Sequence, residues 1–347
     1  MAQIKFYNGS SWVTPKAIKQ WNGSEWVDRI GKYWNGSNWV DFIKYILEDI
    51  FYVTVNGVVA RRDLNGNEIW RYNRSNNGYV SMDIDKEGNF IAGNTGNMVD
   101  KYDKDGNLLW NYFIGGIVWA VCMNNDGTIY AGKNDFVDNL FKINSDGTNI
   151  WSRSVSGKVR NVISDTNKDV YVFCEGSLKT LEKYDGSTYG QIWQYIGFDG
   201  NIPLHGAIDN NGDIVVSTSD VNSVYTIWKI SSSGSYKWKS TAGLSGDNKS
   251  LYKVIVLPTG EIYALATDTC ELIKLQSNSA IIWKKTLDPY PRDIGIDTQG
   301  NIYVGGDNKM YRITPDGSSE TTLFNVSDVI SKTCILPRYG AFPEVYN

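Results

Sequence analysis

A tryptophan placed just after a polar turn returns six times along this chain. The segments DLNGNEIW, DKDGNLLW, NSDGTNIW, GSTYGQIW, SSSGSYKW and QSNSAIIW set Trp70, Trp110, Trp151, Trp193, Trp238 and Trp283 at steps of 40, 41, 42, 45 and 45. A degenerate seventh copy, PDGSSETTLF, puts Phe324 another 41 residues on. A period of ~40–45 residues is that of propeller blades built from four strands. One such unit cannot bury its own apolar face, so the copies must stack on their neighbours. The aromatic column reads as the structural dock between blades, since each blade has to be fixed against the next and a large ring buries the most area per residue.

The strands of each repeat align by pattern. A buried-looking run recurs as FYVTV (51–55), NFIAG (89–93), TIYAG (128–132), DVYVF (169–173), DIVVS (213–217), EIYAL (261–265) and NIYVG (301–305). An alternating run follows each, then the turn and the aromatic strand, as half-buried antiparallel strands require. The innermost strands read SMDID (81–85), AVCMN (120–124), NVISD (161–165), HGAID (205–209), KVIVL (253–257) and DIGID (293–297), with KTCIL (332–336) after the last turn. The expectation is an all-β, seven-bladed propeller of four-stranded antiparallel blades, closed by residues 332–336 completing the first blade. Closure removes open sheet edges that would otherwise invite aggregation. A rival count of eight uses FIKYILE (42–48) as an extra strand.

A shorter repeat system precedes this one. YNGSSWV (7–13), WNGSEWV (21–27) and WNGSNWV (34–40) each hold an Asn-Gly pair between aromatic and β-branched residues. Asn-Gly is the strongest short-range hairpin signal, because a type I′ turn wants φ > 0 at both central positions. Trp12, Trp26 and Trp39 are then expected across from Tyr7, Trp21 and Trp34 as aromatic cross-strand pairs. Isolated hairpins are marginal in water, so these need a partner: each other, the main domain, another subunit or a larger assembly. The domain reading is residues 1–45 for attachment or oligomerisation, 46–340 for the propeller and 341–347 as a tail.

Composition removes several functional classes. The 34 basic and 38 acidic side chains leave a net charge of −4 without a basic block. That argues against a nucleic-acid partner, whose affinity would come from phosphate neutralisation. The N-terminus has no apolar h-region and no run of 18 apolar residues occurs, so neither a secretory signal nor a membrane span is expected. The Asn-x-Ser triplets of the hairpins therefore lose their reading as glycosylation sites. Cys122, Cys174, Cys270 and Cys334 are widely spaced without a CxxC pair, and read as small apolar strand residues in a reducing compartment, with a disulfide as the lesser reading. One histidine, His205, rules out a two-His metal site. Asp103-Lys-Asp105-Gly106 resembles the start of a calcium loop, but position 114 is Ile, so a plain Asp-Gly turn is the better reading. No metal and no cofactor is expected, and no nucleophile elbow or phosphate cradle is present.

The starts of the innermost strands hold the more informative side chains. The column is Ser81, Ala120, Asn161, His205, Lys253, Asp293 and Lys332, preceded by Val80, Trp119, Arg160, Leu204, Tyr252, Arg292 and Ser331. In a propeller this end of the inner strand lines the central channel or its mouth, so Trp119, Arg160, His205, Tyr252, Lys253, Tyr290, Arg292 and Asp293 are the candidate ligand-binding residues. The competing reading is a water-filled channel with satisfied polar walls. Segments 197–204, 219–224 and 242–250 are longer than their counterparts, which places Phe198, Asp220, Asp247, Tyr290 and Arg292 on one recognition face. Aromatic rings with Asp, Asn and Arg suit sugar binding.

The tryptophan period with its Asp-x-x-Gly turns (Asp63, Asp103) resembles the tryptophan-docking repeat of the pyrroloquinoline-quinone-like β-propellers, over about residues 51–336. For function the resemblance implies little, since one fold hosts many activities. The quinoprotein dehydrogenases of that family need adjacent cysteines, which are missing here; its outer-membrane assembly lipoproteins need an N-terminal cysteine, and the first here is Cys122. The Asn-Gly-Ser-x-Trp-Val units resemble tandem repeats at the N-termini of bacteriophage and prophage tail and minor structural proteins. That resemblance implies a virion, tail-associated structural protein assembled in the host cytoplasm. Residues 1–45 would join other virion proteins or a homo-oligomer, and the propeller would bind a host-surface glycan or protein without catalysis. The alternatives are a polysaccharide lyase or hydrolase acting on host envelope polymer, for which Lys253, Tyr252 and His205 are the proton-abstraction set, and a non-phage protein-binding scaffold.

Overall fold

The computed structural model describes residues 49–336 apart from 75, 86, 125, 220–225, 242–250 and 288–289, with the backbone of six short strands ahead of them. The segment 42–48, and with it the proposed eighth strand, lies outside the described residues, as does 337–347. Two compact units divide the chain, Met1–Ile46 and Leu47–Asn347.

In the first unit, Phe6–Tyr7 pairs with Trp12–Val13, Lys19–Trp21 with Trp26–Asp28, and Lys32–Trp34 with Trp39–Asp41. Each pair is an antiparallel two-stranded sheet of its own. The register sets Tyr7 opposite Trp12, Trp21 opposite Trp26 and Trp34 opposite Trp39. The Asn-Gly pairs between these strands lie outside the described residues.

The second unit is a six-bladed propeller, and among its described residues there is no helix. Five sheets have four strands in chain order. Their innermost strands are Tyr79–Ile84, Val118–Met123, Lys158–Ser164, Ile202–Ile208 and Leu251–Val256. The sixth sheet has six strands, in the order Pro291–Ile296, Ile302–Ile313, Glu320–Leu336, Asp49–Thr54, Val58–Asp63 and Glu68–Asn73. The expected count of seven four-stranded blades is thereby corrected: the last and first sequence repeats fuse into one sheet. The cause lies in Glu320–Leu336, ETTLFNVSDVISKTCIL, which is rich in β-branched residues and contains neither Gly nor Pro to break the extended chain. Its first part pairs with Ile302–Ile313 (Met310 opposite Phe324), and its last part with Asp49–Thr54 (Cys334 opposite Phe51). One strand thus ends one repeat and closes the ring.

Burial follows position in the sheet. The second strands are buried on both faces, for example Phe90–Asn94, Ile129–Lys133 and Ile262–Ala266, because each lies between its neighbours. The outermost strands are exposed except at the tryptophan and the residue two places on, as in Leu108–Phe113 and Gln191–Tyr195. Fully buried tyrosines recur, and several of their hydroxyls find partners: Tyr130 donates to the Lys168 carbonyl (3.1 Å) and Tyr171 and Tyr303 to Asp165 and Asp297 (both 3.1 Å), whereas those of Tyr52 and Tyr311 have none among the described residues. Burying rings of this size stabilises by roughly 1.5–3 kcal/mol each only when the polar end is satisfied.

The outer aromatics sit against the following sheet's last turn. Trp70 Nε1 donates to the Lys104 carbonyl (3.0 Å), Trp110 Nε1 to Ser145 (2.9 Å) and Trp193 Nε1 to Ser232 (3.0 Å). The Trp110 ring covers Gly147, whose φ of +91° and lack of Cβ both matter, since a Cβ there would be 2.9 Å from the indole. Phe324 covers Gly66 in the same way within the closing sheet, and Trp283 covers Gly317. Trp151 packs on Tyr189 (5.3 Å between centroids), and Trp238 packs on the cluster holding Leu251 and Ile273. The Nε1 atoms of Trp151 and Trp283 have no partner among the described residues.

Directly across from each tryptophan stands a cation: Arg61, Lys101, Lys142, Lys183, Lys229 and Lys274. Arg61 Nη1 donates to the Lys104 carbonyl already taken by Trp70 (3.1 Å), and Lys101 Nζ to the Ser145 carbonyl shared with Trp110 (3.0 Å). Lys142 reaches the Gly186 carbonyl (2.8 Å), while Lys183 and Lys229 pair with Asp169 (3.0 Å) and Asp209 (2.6 Å). Burial lowers the pKa of Lys101 and Lys142, which hold carbonyls rather than carboxylates.

Candidate functional site

Every innermost strand breaks register at the same place. The ladder skips one residue between Tyr79 and Ser81, Val118 and Ala120, Val159 and Asn161, Pro203 and His205, and Leu251 and Lys253. The closing sheet repeats this twice, between Pro291 and Asp293 and between Ile330 and Lys332. The skipped residues are Val80, Trp119, Arg160, Leu204, Tyr252, Arg292 and Ser331. A bulge leaves its extra residue unpaired and re-aims the side chain, and bulges concentrate beside binding sites. Here five of them, Val80, Trp119, Arg160, Leu204 and Tyr252, line one end of a central cavity.

That cavity has a volume of about 480 Å³ and is walled by the inner strands, of which the closing sheet supplies two. Its volume falls within the roughly 300–1,000 Å³ of small-ligand pockets. Below the bulges the wall becomes apolar, with Met82, Cys122, Ile163, Ala207, Ile255 and Cys334. Burial pushes the thiol of Cys334 up to about 12 and raises that of Cys122, so both stay protonated. All four cysteines are free. Toward the far end Asp85 and Asp165 join the lining.

The mouth brings together Trp119, Arg160, His205, Tyr252 and Lys253. The Arg160 guanidinium lies 3.8 Å over the Trp119 ring and pairs with Glu175. Lys332 Nζ stands 4.9 Å over Tyr252. Lys253 pairs with Asp293 at 2.7 Å. Asp293 is buried behind the wall, where its second oxygen accepts the Thr333 backbone N–H (2.7 Å) and ties neighbouring inner strands together. Burial lowers the His205 pKa well below the usual 6.5, and the Lys253 and Lys332 ammonium groups lower it further, so the imidazole is neutral at pH 7. Its Nδ1 has no partner among the described residues, nor does Asn161 Nδ2.

Three expected face residues fall elsewhere. Arg292 occupies a bulge but points away from the cavity wall, bonding Asp307 through Nε (2.9 Å). Tyr290 is exposed outside the lining, at a φ of +65°. Phe198, expected on the surface, is fully buried at 5.5 Å from the Trp228 ring. Its loop folds inward because the third strand of that sheet presents a large indole to cover. Asp220 and Asp247 lie outside the described residues.

Glu175 and the buried cation column escaped the sequence reading, although a Lys or Arg in each alternating strand was there to be counted. Asp103 closes an ordinary turn, accepting the Asp105 and Asn107 backbone N–H groups (2.9 and 2.8 Å). No group of three metal-ligating side chains comes together among the described residues.

No protein-family model matches the chain, and no curated protein matches it. Solved structures do. The WD40 repeats of RRP9 superpose with a TM-score of 0.67 at 11% identity, over 84% of this chain and 91% of that one. BamB from Moraxella catarrhalis gives 0.57 at 14% identity, over 82% and 85%. A protein of unknown function from Bacteroides caccae gives 0.55 at 12% identity, over 84% and 99%. At such identities the likeness shows the β-propeller fold and nothing finer.

Proposed function

We propose that this chain is a tail-associated bacteriophage virion protein whose propeller binds a host-surface glycan or protein without turning it over. Residues 1–45 would join it to other virion proteins or to further copies of itself. Support for the virion assignment comes from the three Asn-Gly-Ser-x-Trp-Val units, each a separate hairpin with aromatic positions in register. A binding role rests on one observation above all: the bulges repeat in geometry while the side chains of the five that line the cavity differ, as Val, Trp, Arg, Leu and Tyr. A packing device repeats its residue, whereas a recognition surface varies it. Two of the cations at the mouth are held in structural bonds, Lys253 by Asp293 and Arg160 by Glu175.

The test is immunogold electron microscopy of particles released from the encoding strain, with antibody against residues 49–336, together with glycan-array binding of the purified chain. Label at the tail and retention of a glycan without new reducing or unsaturated ends are expected. Unlabelled particles would sink the virion assignment. Release of cleaved or unsaturated products would replace binding by the lyase reading, with Lys253, Tyr252 and His205 as the residues to vary.

A further inference from the structure

We infer that the bulge-ringed mouth is a site for the terminal unit of an acidic saccharide, with its carboxylate held at Lys332. This rests on the binding role proposed above and names the ligand class. Three cations ring the mouth, Arg160, Lys253 and Lys332, and two carboxylates answer them, Glu175 and Asp293. Lys332 is left over: among the described residues it has no carboxylate partner and stands only over the Tyr252 face. An ammonium in a half-buried wall with only an aromatic face against it is open to an incoming anion, and the low local dielectric strengthens the attraction.

The neutral wall points the same way. Asn161 Nδ2 and His205 Nδ1 are buried without partners, and native structures leave few such atoms unsatisfied unless a ligand or water completes them. Both belong to side chains that line the cavity next to the cations. His205, held neutral by burial and by those same cations, adds no competing charge and can serve a sugar hydroxyl as donor or acceptor. Entry is end-on, since the mouth is enclosed by inner strands on all sides and about 480 Å³ takes a terminal unit rather than a length of polymer. The apolar wall below suits the hydrophobic face of that unit.

Calorimetric titration of the full chain with sialyllactose, lactose, trigalacturonate and carboxyl-reduced trigalacturonate tests this. At least one acidic sugar should bind, with its neutral counterpart about tenfold weaker or worse. Lys332→Met should weaken the acidic sugar at least about tenfold, while Lys104→Met, which removes an exposed charge at an outer turn, should leave it unchanged. Far-ultraviolet circular dichroism of both variants confirms folding. Equal binding of acidic and neutral sugars, or an unaffected Lys332→Met, overturns the assignment. Displacement of the sugar by equimolar inorganic phosphate also overturns it, by showing a site for bare oxyanions. Adhesion of the labelled chain to host envelope with no acidic sugar bound leaves the binding role standing and removes only the ligand class; loss of both removes the role as well.

Discussion

The outer and inner strands of each sheet descend from one repeat but use repetition differently. On the outside both geometry and residue recur: an indole, a cation across from it, and a turn in the next sheet that receives them. Trp70 with Arg61, and Trp110 with Lys101, even share a single carbonyl as acceptor. On the inside only the geometry recurs. The bulge returns at every inner strand, yet its side chain is never the same twice running. Positions that hold the ring together are constrained by a partner of fixed shape, while positions at the mouth face a space the protein leaves open. Three measurements test that contrast.

The largest effect is expected at the outer turns. Gly147→Val places a branched side chain at a φ of +91° and 2.9 Å from the Trp110 ring, and should cost about 3–5 kcal/mol in urea unfolding from strain plus overpacking. Gly200→Ala, at a φ of +84° but with nothing within 4 Å, should cost only about 1–2 kcal/mol. Equal losses would mean that backbone strain alone matters and that the ring contact does not.

Next comes the contrast between tryptophans. Trp110→Ala should destabilise by about 3 kcal/mol, since it removes ring packing and a hydrogen bond. Trp119→Ala, at a bulge, should cost under about 1 kcal/mol in the same assay while weakening ligand at the mouth. A stability loss at Trp119 as large as at Trp110 would make the bulge ring a structural device.

The smallest effect is a pH slope. The folded-state pKa of His205 lies below its unfolded value near 6.5, so below that pH the unfolded chain takes up a proton that the folded chain refuses. Stability present above pH 6.5 should therefore fall on acidification, by at most about 1.4 kcal/mol per pH unit. This window lies well above the range in which Asp126 and Asp316, each held at about 2, protonate. His205→Gln should flatten the slope between pH 6.5 and 5. An unchanged slope would mean that His205 is not held neutral by its surroundings.

How much of this was legible in the chain differs by feature. The indole period is written in spacing alone, because each copy meets the same turn of its neighbour. The bulges were not legible, since register is a property of two strands and neither one announces the skipped residue. The column Trp119, Arg160 and Tyr252 could be aligned, but not why it faces the mouth while Arg292 does not. The blade count failed where punctuation failed: Asn325-Val-Ser-Asp-Val329 has no Gly or Pro, so the chain runs straight from one repeat into the next. Phe198 was misplaced because loop length says nothing of what the loop must cover, which here is Trp228.

The closing sheet has a mechanical consequence. Tension on the chain ahead of residue 49 enters the propeller through Asp49–Thr54, a strand held along both edges by Glu320–Leu336 and Val58–Asp63. A lengthwise tug loads both ladders in shear, with their bonds sharing the load instead of unzipping in sequence. A load applied through the first residues would thus fall on a strand braced along both sides, within the very sheet that closes the ring.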